Sequence, residues 1–157
     1  MFRDGIIDDV IIREIPRHTD RRGWLMELFR LDELPAEYRP VMSYVSVTEP
    51  GVARGPHEHR DQADLFCFLG PSVFTVYLWD ARPASATRGV RQIVTAGEGA
   101  PRMIIVPAGI VHAYKNTGDV PGMVFNAPNR LFAGEGKKEP VDEIRHESHP
   151  DTPYVIA

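Results

Sequence analysis

Apolar residues along this chain fall in short runs of strand-forming side chains, each cut off by glycine or proline. Ile6-Ile7 and Val10-Ile11-Ile12 are β-branched runs near the start. Met42 to Thr48 (MSYVSVT) ends at Glu49-Pro50-Gly51, a turn signal. Leu65 to Leu69 is closed by Gly70-Pro71, and Val73 to Trp79 (VFTVYLW) is closed by Asp80 and Pro83. Gln92-Ile93-Val94, Arg102 to Val106, Val111 to Lys115 and Met123-Val124-Phe125 follow, with glycine or proline between them. Short strands at this spacing predict an all-β sandwich or barrel. Helix is scarce. Leu31 to Pro35 predicts one turn and Gly134 to Lys138 a loop, while Glu139 to Ile156, charged and broken by proline, has no periodicity that fixes its shape.

Composition narrows the function classes. The 157 residues are one domain's worth, and residues 1–157 are read as one domain. The chain carries 18 basic and 22 acidic residues, a net charge of −4, without the basic stripe of a nucleic-acid or membrane-surface binder. Cys67 is the sole cysteine, so no intrachain disulfide forms and a reducing compartment fits. Met1 to Gly5 lacks the basic start and apolar run of a signal peptide, and no apolar stretch approaches a membrane span. The expected location is the cytoplasm. The 14 prolines are scattered and act as punctuation between strands.

Candidate chemistry sits in two windows. One runs Gly51-Val-Ala-Arg54-Gly-Pro-His57-Glu-His59-Arg-Asp-Gln62-Ala-Asp64, the other Pro107-Ala-Gly109-Ile-Val-His112-Ala-Tyr-Lys-Asn116. His57 and His59 are two apart, so on a strand they face the same way. His112 from a distant strand completes a metal set if a barrel gathers them, with Asp64 or Gln62 as fourth ligand. Imidazole with carboxylate suits iron, manganese, nickel or zinc.

These windows resemble the paired motifs of the cupin superfamily, which implies a double-stranded β-helix (jelly-roll) barrel. A narrower resemblance is to the dTDP-4-dehydrorhamnose 3,5-epimerase family. It is carried by Asp20-Arg-Arg22-Gly-Trp-Leu-Met-Glu27-Leu-Phe-Arg30, by Gly51-Val-Ala-Arg54-Gly-Pro-His57 and by Val106-Pro-x-Gly109-x-x-His112, from about residue 6 to residue 133. The resemblance implies that Arg22 meets the nucleotide diphosphate, Glu27 the thymine and Arg54 a second phosphate. It implies that His57 is the base that removes a proton beside a C4 ketone, and that His112 lines the pocket. It also implies a nucleotide-sugar substrate, no cofactor, and a homodimer in which the N-terminal strand crosses to a partner sheet. A histidine suits the base because its ordinary pKa is about 6.5, and arginine forks match phosphate oxygens.

The sequence departs from the family at marked positions. Asp64 stands where the family places an enolate-stabilising lysine, and Phe132 stands nearest the tyrosine that returns the proton. Met42 and Tyr44 replace a glutamine and an asparagine that help to bind the base. Tyr44, Tyr77 and Tyr114 are the remaining sources of a hydroxyl acid. Two rival readings follow: a metal-dependent enzyme built on His57, His59, Asp64 and His112 with a divalent transition metal, and a non-catalytic cupin that binds a sugar nucleotide. Trp24, Trp79 and Cys67 are expected in the core, and His18, His146 and His149 at the surface.

Overall fold

The computed structural model describes all 157 residues. The strands are β1 (Arg3–Asp4), β2 (Ile11–Glu14), β3 (Arg17–Asp20), β4 (Gly23–Met26), β5 (Tyr44–Thr48), β6 (Ala53–Glu58) and β7 (Asp64–Gly70). They continue with β8 (Val73–Asp80), β9 (Val90–Gly97), β10 (Arg102–Val106), β11 (Ile110–Asn116), β12 (Gly122–Asn126) and β13 (Ile144–Arg145). One sheet has the order β1-β9-β8-β11-β6-β13, the other β2-β10-β7-β12-β5, and β3-β4 form a separate hairpin. Crossovers between two facing sheets, antiparallel apart from the parallel edge pair β1-β9, give the expected jelly-roll barrel.

Period-two alternation sorts the apolar residues into three layers. Phe66, Phe68, Phe74, Val76, Leu78, Ile104, Val106, Ile110 and Tyr114 form the barrel interior. Their strand neighbours point the other way: Leu65, Cys67, Met103 and Ile105 lie under Ile15 and Leu34 outside the second sheet. Tyr77, Trp79, Val111 and Ala113 lie outside the first sheet, covered by Phe2, Tyr154 and Ile156. Phe68, Phe74, Leu78, Ile104 and Ile110 are wholly buried, each worth about 1.5–3 kcal/mol of apolar transfer. The expected core places of Trp79 and Cys67 are therefore met, and burial pushes the Cys67 thiol up to about 12.

Several expectations need correction. Ile6-Ile7 is not a strand; it follows β1 as an extended plug whose Ile7 enters the barrel core. Leu31 to Leu34 is a non-helical turn, and the single-turn 3-10 helix begins after it at Ala36–Tyr38. The β3-β4 hairpin escapes pattern reading because its residues are nearly all exposed, so no core selects an apolar alternation there. Trp24 belongs to it, more than half exposed, with the Arg17 guanidinium 4.9 Å from its ring centroid. The charged C-terminal stretch contributes β13, which adds antiparallel to β6. No helix is long and apolar enough to cross a membrane.

Candidate active site

The site lies inside one end of the barrel and draws on both sheets. In the first sheet β6 pairs with β11, with His57 opposite His112 and Arg54 opposite Tyr114. His112 and Tyr114 are two apart on β11, whereas Arg54 and His57 are three apart on β6, so the extra residue is a bulge. Cross-strand partners share a face, so the bulge turns Arg54 and His57 toward the same side. Gly55 permits it: its φ is +85°, and a Cβ there would stand 2.5 Å from the His112 carbonyl oxygen. From the facing sheet, Asp64 opens β7 on the inward-pointing register shared by Phe66 and Phe68. His59 lies just past the end of β6. Its carbonyl accepts the Gly109 N–H at 2.8 Å, which continues the pairing of β6 with β11 by one residue, and it joins His57 in one cluster as the spacing of two leads one to expect.

Ligand atoms of His57, His59, Asp64 and His112 all lie within 4.8 Å of one another. His59 Nε2 is 3.0 Å and His112 Nε2 is 3.2 Å from the same Asp64 oxygen, Oδ2. The second approach lacks hydrogen-bond alignment, so His112 Nε2 has no hydrogen-bond partner although it is buried. Gln62 Nε2 donates to Asp64 Oδ1 at 2.8 Å. His112 Nδ1 donates to the Ile110 carbonyl at 3.0 Å, and His59 Nδ1 donates to the Asp142 carbonyl.

Charge in this cluster is tightly coupled. Burial opposes ionisation of Asp64, yet the facing His112 and His59 outweigh it and hold the carboxyl well below the usual range. Burial lowers His59, but Asp64 and then the Asp142 carbonyl more than reverse that and lift it to about 9. Burial, followed by the charges of His112 and His59, pushes His57 down to about 2 against the pull of Asp64. His57 is therefore neutral, the proton-accepting form, and not the half-titrated imidazole of ordinary pKa that the sequence led us to expect.

A sequence model of the dTDP-4-dehydrorhamnose 3,5-epimerase family matches residues 5–136. A probable low-salt glycan biosynthesis epimerase of Haloferax volcanii is 38% identical over 135 residues, 85% of each chain. The chain belongs to the dTDP-4-dehydrorhamnose 3,5-epimerase family. The spore coat polysaccharide biosynthesis protein SpsL of Bacillus subtilis is 34% identical over 116 residues, 74% of this chain and 76% of that one. Among solved structures, a dTDP sugar isomerase from Desulfovibrio desulfuricans superposes with a TM-score of 0.81 at 22% identity, covering 95% of this chain and 91% of the other. An epimerase of Legionella pneumophila in complex with dTDP-4-keto-L-rhamnose superposes at 0.75 and 25% identity, covering 97% and 82%.

Against the epimerase-family pattern, the structure gathers His57, His59, Asp64, His112 and, on the same face, Arg54. It does not gather Arg22 and Glu27. Arg22 is in the exposed β3-β4 turn, paired with Asp20 at 2.6 Å, and Glu27 follows β4 in a shallow groove with Arg13, His18 and Phe29 outside the second sheet. Arg54 rests on Thr48 Oγ1 at 3.0 Å and on the Val47 carbonyl at 2.8 Å.

The tyrosines also separate. Tyr77 points outside the first sheet and donates to the Ala157 carbonyl at 3.0 Å, which removes it from the site. Tyr114 is buried with its hydroxyl 3.1 Å from Ser46 Oγ. Tyr44 is half-exposed, and its hydroxyl is pushed up to about 12 by partial burial and then by the Asp64 charge.

Sequence reasoning missed Asp142, whose carboxylate accepts the backbone N–H groups of Arg60, Asp61 and Gln62 at 2.9 Å each. No local signal marks it, because it lies some 80 residues from the loop it pins. His146, expected at the surface, is instead mostly enclosed, 2.9 Å from Glu58 and edge-on to Tyr154; β13 carries it to β6.

Proposed function

We propose that this protein is an isomerase or epimerase acting on a nucleotide-linked 4-keto-6-deoxy sugar, the nucleotide being dTDP, by removing a proton alpha to the C4 ketone. Membership of the family supports the substrate class. The observation that carries the chemistry is His57: partly exposed on the inner face of β6, neutral, and beside a cluster that holds a fixed charge. A proton alpha to a ketone leaves only if a base receives it and the enolate oxygen is stabilised. Burial makes His57 a weak base in the free protein. An enolate forming beside it supplies the negative charge that raises its proton affinity.

Arg54, on the same face as His57, is assigned to phosphate. Arg22 and Glu27 are assigned to the nucleotide as well. Their hairpin flanks the outside of the second sheet, so the acting unit is proposed to be a homodimer in which a second copy lends its hairpin. Exposed Val45 and Val47 on the edge strand β5 suit burial in such a pair. Tyr44, which opens β5 opposite buried Asn126, is the candidate acid that returns the proton. The compartment proposed is the cytoplasm.

The test is incubation of a dTDP-linked 4-keto-6-deoxyhexose with the protein in deuterium oxide, read by mass spectrometry and NMR. Deuterium should enter beside the ketone, and His57→Asn should slow entry by about 10²-fold or more. Tyr44→Phe should keep exchange while slowing inversion. A parent protein that binds dTDP yet exchanges no proton would replace this reading with that of a sugar-nucleotide-binding protein.

A further inference from the structure

The hydrogen bonds around Asp64 leave a contradiction that a cation resolves. A backbone carbonyl can only accept, so His112 Nδ1, facing the Ile110 carbonyl, carries the ring proton, and so does His59 Nδ1, facing Asp142. In its neutral form each ring therefore presents an Nε2 lone pair to Asp64 Oδ2, at 3.0 Å from His59 and 3.2 Å from His112. Three acceptors then converge, and the one donor nearby, the Gln62 amide 3.4 Å from His59 Nε2, does not reach His112. A proton added to His59 satisfies one contact and leaves buried His112 Nε2 unpartnered.

We infer that His59 Nε2, Asp64 Oδ2 and His112 Nε2 hold a divalent transition-metal ion. Donors bound at about 2.1 Å stand about 3.0 Å apart at right angles and about 3.4 Å apart at tetrahedral angles. The measured separations of 3.0 and 3.2 Å span that range. Two neutral imidazoles with one carboxylate suit zinc, manganese, iron or nickel over magnesium or calcium. All three ligands are buried, and each is oriented by a second partner: Ile110 for His112, Asp142 for His59, and Gln62 for Asp64. Asp142 lies beyond residues 5–136, so the segment that aims His59 is outside the stretch matched to the family.

His57 is the remaining member of the four-residue cluster and the one that is not buried. It is left free as the base. The role of the ion rests on the proposed function: it supplies, beside His57, the positive charge that an enolate oxygen needs where Asp64 replaces the family's lysine. The proton passes from carbon to His57, and the electron pair passes to the ketone oxygen.

The test begins with protein stripped by chelator and dialysed, then titrated with Mn2+, Zn2+ or Co2+ by calorimetry, alongside elemental analysis of untreated protein. About one equivalent per chain should bind, and bound metal should raise Tm by linkage. The Co2+ form should show the visible absorption of a nitrogen- and oxygen-ligated ion, a readout that needs no variant. His59→Gln and His112→Gln should each weaken binding by about 10²-fold, while His57→Asn keeps the metal and loses deuterium exchange.

Less than about one fifth of an equivalent bound, with no Tm shift and no Co2+ spectrum, overturns the site. Loss of metal in His57→Asn overturns its assignment as the free base. Metal bound without any exchange would leave the site standing and remove the epimerase reading. Full exchange by stripped protein would remove the ion's catalytic role.

Discussion

Asp142→Ala removes a single carboxylate that closes the turn between β6 and β7. Three N–H groups, those of Arg60, Asp61 and Gln62, donate to it at 2.9 Å each. Charge-assisted bonds of this kind are worth about 1.5–3 kcal/mol when water is excluded. Here two of the three are exposed, so water takes over much of their role, and about 0.5–1 kcal/mol apiece remains. The sum is about 2 kcal/mol. For a chain of this length each kcal/mol moves Tm by about 2–4 °C, so a fall of about 4–8 °C is expected. Scanning calorimetry at neutral pH measures it, and urea titration should lower the midpoint at constant slope. Asp61→Ala, whose own side chain makes none of these bonds, is the matched control and should stay near the parent. If Asp142→Ala melts within about 1 °C of the parent, the carboxylate is not the clasp described here, and water already satisfies those N–H groups as well as it does.

Asp80, wholly buried at the end of β8, accepts from Arg82, Ser85 and Thr87, and Arg82 also reaches Asp9. Burial opposes its ionisation, but those donors hold its carboxyl well below the usual range. Its stabilisation is therefore complete above the unfolded value of about 3.9 and is lost as pH falls through the lower folded value. Asp80→Asn should cost about 2–3 kcal/mol near neutrality by leaving Arg82 with only the exposed Asp9 as counter-charge and should flatten the acid limb of a stability-against-pH curve; parallel limbs in parent and variant would refute the assignment. Arg54→Ala and Arg22→Ala should each weaken dTDP binding by about tenfold or more through loss of a charge-assisted phosphate contact. Calorimetry showing parental affinity in both would detach these arginines from the nucleotide.

The strands of the barrel were legible because a two-sided core imposes alternation on β7, β8, β10, β11 and β12, and glycine or proline ends each run. The His57, His59, Asp64 and His112 set was legible as motif spacing, since β6 and β11 must pair for the motifs to make sense. Local pattern could not reveal the exposed β3-β4 hairpin, where burial does not select residues, nor that Arg22 and Glu27 stand outside the sheet whose inner face carries Asp64. It also could not choose among Tyr44, Tyr77 and Tyr114, because facing inward or outward depends on how the sheets close. Least of all could it show that Asp142 aims His59, or that two imidazole lone pairs meet one carboxylate oxygen. The first depends on chain closure over some 80 residues and the second on β11 being folded against the start of β7, and no sequence window contains Asp142 with His59 or His112 with Asp64.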